Sequence, residues 1–238
     1  MKKEIHRLIR ARENYLEKRP VFSIAASIGG LSLRWLDRNY CFRKKAIRRL
    51  VWKSGFAERM AHAFLDALFQ ELTRVKLMKL LQAEFQDPGV LDGFRYEART
   101  RKWQCARGPR LVTHIFSGNV PNPSVISFIL GMLVKSINIG KVSSRDEGFL
   151  DIYLDSLRDH DEKLSVTNYI LKSSVEAYCN TPLQECLQQS DLVVAYGHDD
   201  SLKEIRTRIP ITMPFAGYGH RVSFGIYTKE ALIKRNLQ

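Results

Sequence analysis

The first part of the chain has the hydrophobic spacing of amphipathic helices. Apolar side chains recur every three or four positions, as in the stretch from Phe64 to Leu72, and this spacing collects them on one face of a helix. Asp87-Pro88-Gly89 interrupts the pattern, and the segment from Gly93 to Pro109 is polar and basic, as is typical of a connector. We therefore predict a mainly helical region over residues 1–108, with a boundary near Gly108.

Residues 109–238 instead alternate short apolar runs with amphipathic segments. This rhythm is typical of βαβ units built around a parallel sheet flanked by helices, so the fold class predicted for the chain is α/β with a helical N-terminal region. The predicted strands are residues 111–116, 137–142, 166–171, 192–196 and 222–227. The predicted helices are residues 124–135, 147–158, 182–188 and 201–208.

Composition excludes several classes of protein. The chain has 238 residues, of which 45% are hydrophobic, which suffices for a substantial core. Its longest apolar run, Val125 to Val134, is about half of what a membrane span requires. The basic start lacks an apolar signal region, so we expect a cytoplasmic protein. Four scattered cysteines without a CxxC pair favour reduced thiols, and no metal site is predicted.

The excess of positive over negative charge is confined to the first half of the chain. The net charge is +13, and residues 1–110 contain 25 Lys and Arg against 11 Asp and Glu. A basic half of this kind is suited to an acidic protein, to the phosphates of an acyl carrier or to nucleic acid. It is equally consistent with basic helices that simply face solvent.

Asn119 lies in the loop between the first predicted strand of the α/β part and the following helix. Open parallel sheets bind ligands at the carboxyl ends of their strands, and an asparagine amide at that edge can donate a hydrogen bond to a developing oxyanion. The alternative is an ordinary turn asparagine beside the helix-initiating Pro123.

Lys141 ends the second predicted strand and is followed by Ser143, Ser144 and Arg145. Cationic and hydroxyl groups at this edge are suited to a ribose or a phosphate. Ser144 with Glu147 is equally consistent with a helix capping box.

Two glycine-containing turns follow later in the chain. Gly197 and His198 precede a predicted helix, whose N-terminus can receive a pyrophosphate. Gly217 and Gly219 flank an aromatic residue and precede His220, which is suited to proton transfer. The alternatives are that Asp199 and Asp200 simply cap the predicted helix and that the later segment is a tight turn. No complete GxGxxG or P-loop pattern occurs.

Several spaced phrases resemble the acyl-CoA reductase family, which is typified by the long-chain fatty-aldehyde-forming reductase of bacterial bioluminescence and belongs to the aldehyde dehydrogenase superfamily. They run in the family's order from about residue 33 onward: RWLDRNYCFRKKAI, DPGVLDGFR, GPRLVTHIFSGNVP, LVKSINIGKVSS, DLVVAYGHDDSLKEIR and GYGHRVSFGI. The resemblance implies an aldehyde-dehydrogenase-like fold, with an NADP-binding Rossmann-like domain at residues 109–238.

The resemblance also implies roles for single residues. Asn119 matches the superfamily's oxyanion asparagine, and Lys141 matches the lysine that binds the adenosine ribose. Relatives selective for NAD often carry a glutamate where this chain has Ser144, so the resemblance implies NADP(H) as cofactor. The superfamily's glutamate base is absent before Gly217, which suits a reductase, since a hydride rather than water resolves the acyl-enzyme. His220 is a candidate for proton or thiol chemistry.

In the family, the nucleophilic cysteine follows the GYGHRVSFGI phrase by some tens of residues, in a stretch that these 238 residues do not contain. We therefore expect the cofactor-binding half of an NADPH-dependent acyl-CoA reductase that is inactive alone. Its partners would be an acyl-CoA or acyl-enzyme donor and the acyl-protein synthetase or transferase subunits, and a homo-oligomer stays open. The alternative is a non-catalytic module that docks an acidic acyl-transfer or acyl-activating partner through the basic helical half. Nucleic-acid binding lacks any motif and is not expected.

Overall fold

The structure is a computed structural model that describes residues 1–55, 57–117, 122–143, 148–171, 181–220 and residue 225. Helices dominate its first part, as the hydrophobic spacing predicts. They are α1 (Lys2–Tyr15), α2 (Val21–Leu36), α3 (Cys41–Ser54), α4 (Glu58–Glu71) and α5 (Arg74–Phe85). Among the described residues, no helix combines the length and the apolar character needed to cross a bilayer.

A parallel sheet forms the second part and confirms the predicted α/β class. Its strands are β3 (Leu111–Ile115), β4 (Ile137–Lys141), β5 (Asn168–Leu171), β6 (Leu192–Tyr196) and β7 (Phe215–Tyr218), and their order is β5-β4-β3-β6-β7. All four neighbouring pairs are parallel. The connections contain α6 (Asn122–Leu133), α7 (Phe149–His160), α8 (Glu162–Ser165), α9 (Pro182–Gln189) and α10 (Asp199–Thr207).

The predicted elements agree with these bounds to within about two residues, with three exceptions. The four-residue helix α8 was not predicted. The strand predicted at residues 222–227 lies outside the described residues, apart from Gly225. β7 was not predicted, because its Phe-Ala-Gly-Tyr sequence is weak in strand-forming residues. Gly217 therefore lies in an edge strand rather than in a turn, and main-chain pairing with β6 holds it there.

The segment predicted as a connector also contains regular structure. A short 3₁₀ helix (Pro88–Leu91) leads into a hairpin of β1 (Arg95–Glu97) and β2 (Lys102–Gln104). Tyr96 and Trp103 are paired across it, with ring centroids 5.7 Å apart, and such cross-strand aromatic pairs stabilise exposed hairpins. Both strands are largely exposed, so they lack the alternation of buried and exposed positions by which strands are recognised in a sequence.

Trp35 joins the helical region to the sheet. Its side chain is fully buried, its ring stacks on Phe69 with centroids 4.6 Å apart, and its indole N–H donates to Ser156 Oγ at 2.9 Å. Phe149 and Tyr153 of α7 pack against the same indole. Because α7 also follows β4, the N-terminal helices and one face of the sheet share a single hydrophobic core.

A buried cation fixes the helices to one another. Arg43 of α3 is fully buried, donates to the carbonyl of Trp35 at 2.8 Å and pairs with Asp66 of α4 at 2.7 Å. A guanidinium can be buried at this point because a carboxylate and a carbonyl replace its water shell. The contacts set the positions of α2 and α4 relative to α3.

Helices α1 and α9 cover the other face of the sheet. Ile5 and Leu8 of α1 pack on Ile137 and Ile139 of β4, while Cys186 of α9 completes the cluster. The domain boundary near Gly108 stays a prediction. In the structure, α1 precedes that boundary in sequence but packs directly on the sheet.

Candidate functional site

The strand order reverses at the carboxyl edge between β3 and β6, the kind of switch point at which open α/β sheets have their ligand crevice. After β3 the chain continues to β4 on one side of the sheet, and after β6 it continues to β7 on the other side. Ligands of open α/β sheets bind where the strand order reverses in this way. Phe116 and Ser117 follow β3 at this edge, and Gly197 and His198 follow β6. Asn119, the predicted oxyanion donor, lies outside the described residues.

Lys141 is the last residue of β4 and lies at the same edge. Its side chain is half-buried, and burial lowers the pKa of its ammonium group. Within the described ranges, no ion pair or hydrogen bond neutralises that ammonium. Ser143, two residues on, is also half-buried, whereas Ser144 and Arg145 lie outside the described residues. A partly desolvated cation with no counterpart among the described side chains is suited to an anionic or hydroxyl-bearing ligand.

The two predicted glycine segments meet in space. The backbone N–H of Gly197 donates to the carbonyl of Tyr218 at 3.2 Å, and the imidazoles of His198 and His220 are hydrogen-bonded, His220 Nε2 to His198 Nδ1. The backbone N–H of His220 also donates to Asp199 Oδ1 at 3.2 Å. The sheet therefore brings together His198 and His220, which are 22 residues apart in the chain.

Gly219 and Gly197 have different reasons for being glycine. A side chain at Gly219 would overlap the carboxylate of Asp199 and displace it from the backbone N–H of His220. At Gly197, the one atom of the described residues that an added methyl group would meet within 4 Å is Ser201 Cβ, at 3.7 Å. The described residues therefore leave space above Gly197, next to the N-terminus of α10, where backbone N–H groups lack partners within the helix.

An aromatic row crosses the carboxyl edge and was not predicted from the sequence. Phe116 stacks on Tyr196 with centroids 5.7 Å apart, and Tyr196 stacks on Tyr218 at 4.8 Å with ring planes 11° apart. Burial raises the pKa of the Tyr196 phenol, while Tyr218 remains half exposed. The sequence signal was an aromatic residue at or just after the end of three strands, but only the strand order makes the three residues neighbours.

Below this row lies a buried polar network centred on His114, which sequence reasoning also missed. His114 contacts Ser127 Oγ through Nδ1 at 2.8 Å and Asn138 Oδ1 through Nε2 at 3.0 Å. The amide nitrogen of Asn138 donates to Asn168 Oδ1 at 2.8 Å, so its oxygen is the acceptor from His114. Nε2 therefore carries the proton and Nδ1 accepts from Ser127. Ser127 also lowers the pKa of the Tyr196 phenol, against the larger effect of burial.

Burial controls the charge of the histidine. His114 is almost fully buried, and desolvation lowers its pKa to about 4, opposed by the smaller effect of the Asn138 hydrogen bond. His114 is thus a neutral imidazole near neutral pH. Its two hydrogen bonds tie β3 to β4 and to α6.

The described cysteines are not placed for nucleophilic chemistry at this edge. Cys41 opens α3 and Cys105 follows the hairpin, both exposed. Cys186 is buried, and desolvation raises the pKa of its thiol to about 12. Cys179 lies outside the described residues. Among the residues that the structure describes, no cluster of three or more His, Cys, Asp or Glu side chains is arranged to hold a metal ion.

Solved aldehyde dehydrogenases share this fold. Glyceraldehyde-3-phosphate dehydrogenase GapN of Methanocaldococcus jannaschii, complexed with NADP, superposes with a TM-score of 0.70 at 12% identity, covering 93% of this chain and 46% of that one. Succinic semialdehyde dehydrogenase of Streptococcus pyogenes, in complex with NADP+, gives a TM-score of 0.68 at 10% identity, covering 90% of this chain and 44% of that one. These likenesses confirm the aldehyde-dehydrogenase-like fold.

Sequence relatives are more specific. The long-chain acyl-protein thioester reductase of Photorhabdus luminescens is 26% identical over 195 residues, covering 81% of this chain and 40% of that relative. The same enzyme of Photobacterium phosphoreum is 24% identical over 217 residues, covering 90% and 43%. The chain thus spans less than half the length of these relatives. The acyl-CoA reductase (LuxC) family model matches residues 17–238. Because this match covers nearly the whole chain, the protein belongs to the acyl-CoA reductase (LuxC) family.

Proposed function

We propose that the chain forms the cofactor-binding part of an NADPH-dependent reductase that converts a long-chain acyl thioester to an aldehyde. Family membership supports the reaction class. The observation that carries the cofactor assignment is Lys141, a half-buried ammonium at the carboxyl end of β4 without a counterpart among the described side chains. The acyl group would arrive on coenzyme A or on a protein, since the relatives are named as acyl-protein thioester reductases.

The residues at the edge fit a nicotinamide dinucleotide. Lys141 would bind a ribose hydroxyl or phosphate, and the open space above Gly197 would admit the pyrophosphate to the N-terminus of α10. Ser144 replaces the carboxylate that repels a 2′-phosphate, which favours NADP(H) over NAD(H). When bound, NADPH supplies the hydride that reduces the acyl carbon.

Asn119 and His220 are the proposed catalytic residues on this chain. The Asn119 amide would donate to the oxyanion of the tetrahedral intermediate. His220 is exposed at the crevice and hydrogen-bonded to His198, which would let the pair exchange a proton there. An unchanged rate and pH profile for His220→Gln, in a complete reductase containing this sequence, would remove that role.

The acyl-enzyme nucleophile is not among the described cysteines, since two lie away from the crevice and Cys186 is a buried thiol with a raised pKa. We therefore propose that the described residues bind the cofactor and do not supply the acyl-enzyme nucleophile.

Calorimetric titration of the folded chain with NADPH and NADH tests the cofactor assignment. We expect NADPH to bind more tightly than NADH, and Lys141→Met to weaken NADPH roughly tenfold, because a hydrogen bond to a charged group contributes about 1.5–3 kcal/mol. Lys79→Met, which removes an exposed cation on α5, serves as the matched control. Failure of the folded protein to bind NADPH, or equal affinity in Lys141→Met, overturns the assignment.

A further inference from the structure

A second concave surface lies between α3 and α7. This α3–α7 groove has a volume of about 750 Å³, within the range of small-molecule sites. Its walls are the α3 side chains Lys45, Arg48, Arg49 and Trp52, and the α7 residues Gly148, Asp151, Ile152 and Asp155.

The groove has a cationic and aromatic end. α3 contains no acidic residue. Trp52 is 77% exposed, so one face of its indole is open to solvent. Arg48 is exposed and has no ion pair or hydrogen bond to the rest of the described chain. An open indole beside a guanidinium can stack on a flat heterocycle and bind an anionic oxygen at the same time.

Of the two acidic residues of the groove, Asp155 lies at the end away from Gly148, and Asp151 lies one helical turn from Gly148, between the two ends. α3 and α7 run antiparallel: a methyl group added at Gly148 would lie 3.1 Å from Arg49 Nη2, whereas Lys45 Nζ lies 3.9 Å from Asp155. Asp155 is further neutralised by Arg158 at 2.6 Å. The cationic end of the groove is therefore at Gly148, where the connection from β4 enters α7, on the same edge of the sheet as Lys141.

We propose that the α3–α7 groove binds a phosphorylated adenosine, with the adenine on Trp52 and the ribose phosphate on Arg48. This inference rests on the proposed function, because both ligands of that reaction, NADPH and acyl-CoA, contain adenosine with a phosphomonoester on its ribose. The phosphate is at the 2′ position in NADPH and at the 3′ position in coenzyme A. One groove with these two contacts recognises that shared chemistry.

Titration with adenosine 2′,5′-bisphosphate and adenosine 3′,5′-bisphosphate distinguishes the two sources. We expect one of them to bind in calorimetry and to quench tryptophan fluorescence. The quench disappears in Trp52→Phe and persists in Trp103→Phe, which removes another exposed indole, 68% accessible, on the hairpin. Arg48→Gln weakens binding roughly tenfold, and Trp52→Ala also weakens it, since base stacking on an aromatic residue contributes about 1–3 kcal/mol. Lys44→Gln, an exposed cation on α3 outside the groove lining, leaves affinity within twofold.

Two results overturn the proposal: neither bisphosphate binds, or binding is unaffected by Arg48→Gln and Trp52→Ala. Salt-dependent binding of an acidic protein to α3 would not rescue it. A third result separates the groove from the proposed function: NADPH binding depends on Lys141 but not on Arg48, and adenosine 3′,5′-bisphosphate does not bind. This result rejects adenosine binding in the groove and leaves the proposed function intact. The reverse result, a Trp52 quench by a bisphosphate without NADPH binding, supports the groove and removes the cofactor assignment.

Discussion

The His114 network makes the stability of the protein depend on pH in a defined direction. The folded chain holds this imidazole neutral with a pKa of about 4, against the ordinary value of 6.5. Below pH 6.5 the unfolded chain binds a proton here that the folded chain does not. Protons therefore favour unfolding, so the stability present above pH 6.5 is lost as the pH falls toward 4.

The size of the effect follows from the difference between these pKa values. One pKa unit corresponds to about 1.4 kcal/mol, so the free energy of unfolding falls by roughly 3 kcal/mol when His114 is fully protonated in the unfolded chain and still neutral in the folded one. Between pH 7 and pH 5 the linkage amounts to about 2 kcal/mol, because the unfolded histidine is then mostly charged and the folded one still neutral. Such a loss is a large fraction of the stability of a typical domain, about 5–15 kcal/mol.

Urea unfolding of wild type and His114→Gln at pH 7, 6 and 5 measures this linkage. The glutamine variant loses stability at every pH through altered hydrogen bonds, by about 1–3 kcal/mol, but it lacks the titrating group. We expect the wild type to lose about 2 kcal/mol more than the variant between pH 7 and pH 5. His6→Gln, at an exposed histidine on α1, is the control and should follow the wild type. Parallel pH dependences of wild type and His114→Gln would show that His114 is not held neutral.

Two further outcomes are expected. Gly131→Ala places a methyl group against the Asn138 carboxamide, 2.8 Å from its Cγ, and should lower the free energy of unfolding by roughly 1–3 kcal/mol. The control is Gly93→Ala, whose methyl group meets no described atom within 4 Å and should change the free energy of unfolding by less than about 1 kcal/mol. Equal effects of the two substitutions would contradict the packing around Gly131. Cys186 should resist iodoacetamide at pH 8 in the folded protein while Cys41 reacts, because only the thiolate is nucleophilic. Mass spectrometry of the labelled chain measures this, and equal labelling of both thiols would show that Cys186 is accessible.

The sequence by itself determined the class of fold and most of the elements around the site. Strands β3, β4 and β6 are apolar runs bounded by turns, and α6 and α7 carry apolar faces, so the βαβ alternation is a local property of the chain. In a parallel sheet, the segments that follow the strands meet at one edge. The placement of Lys141, Gly197 and His198 at that edge therefore followed from position alone. The family followed from phrases such as LVKSINIGKVSS, which are read directly from the sequence without the tertiary structure.

Tertiary structure decided which of these residues are neighbours. Tyr196 and Tyr218 stack, and His198 meets His220, because β7 pairs with β6 although its sequence is weak in strand-forming residues. The neutral state of His114 likewise depends on burial by α6. Contacts between residues far apart in the chain depend on strand order and on how helices cover the sheet, and these are set by the free energy of the whole core rather than by any local pattern.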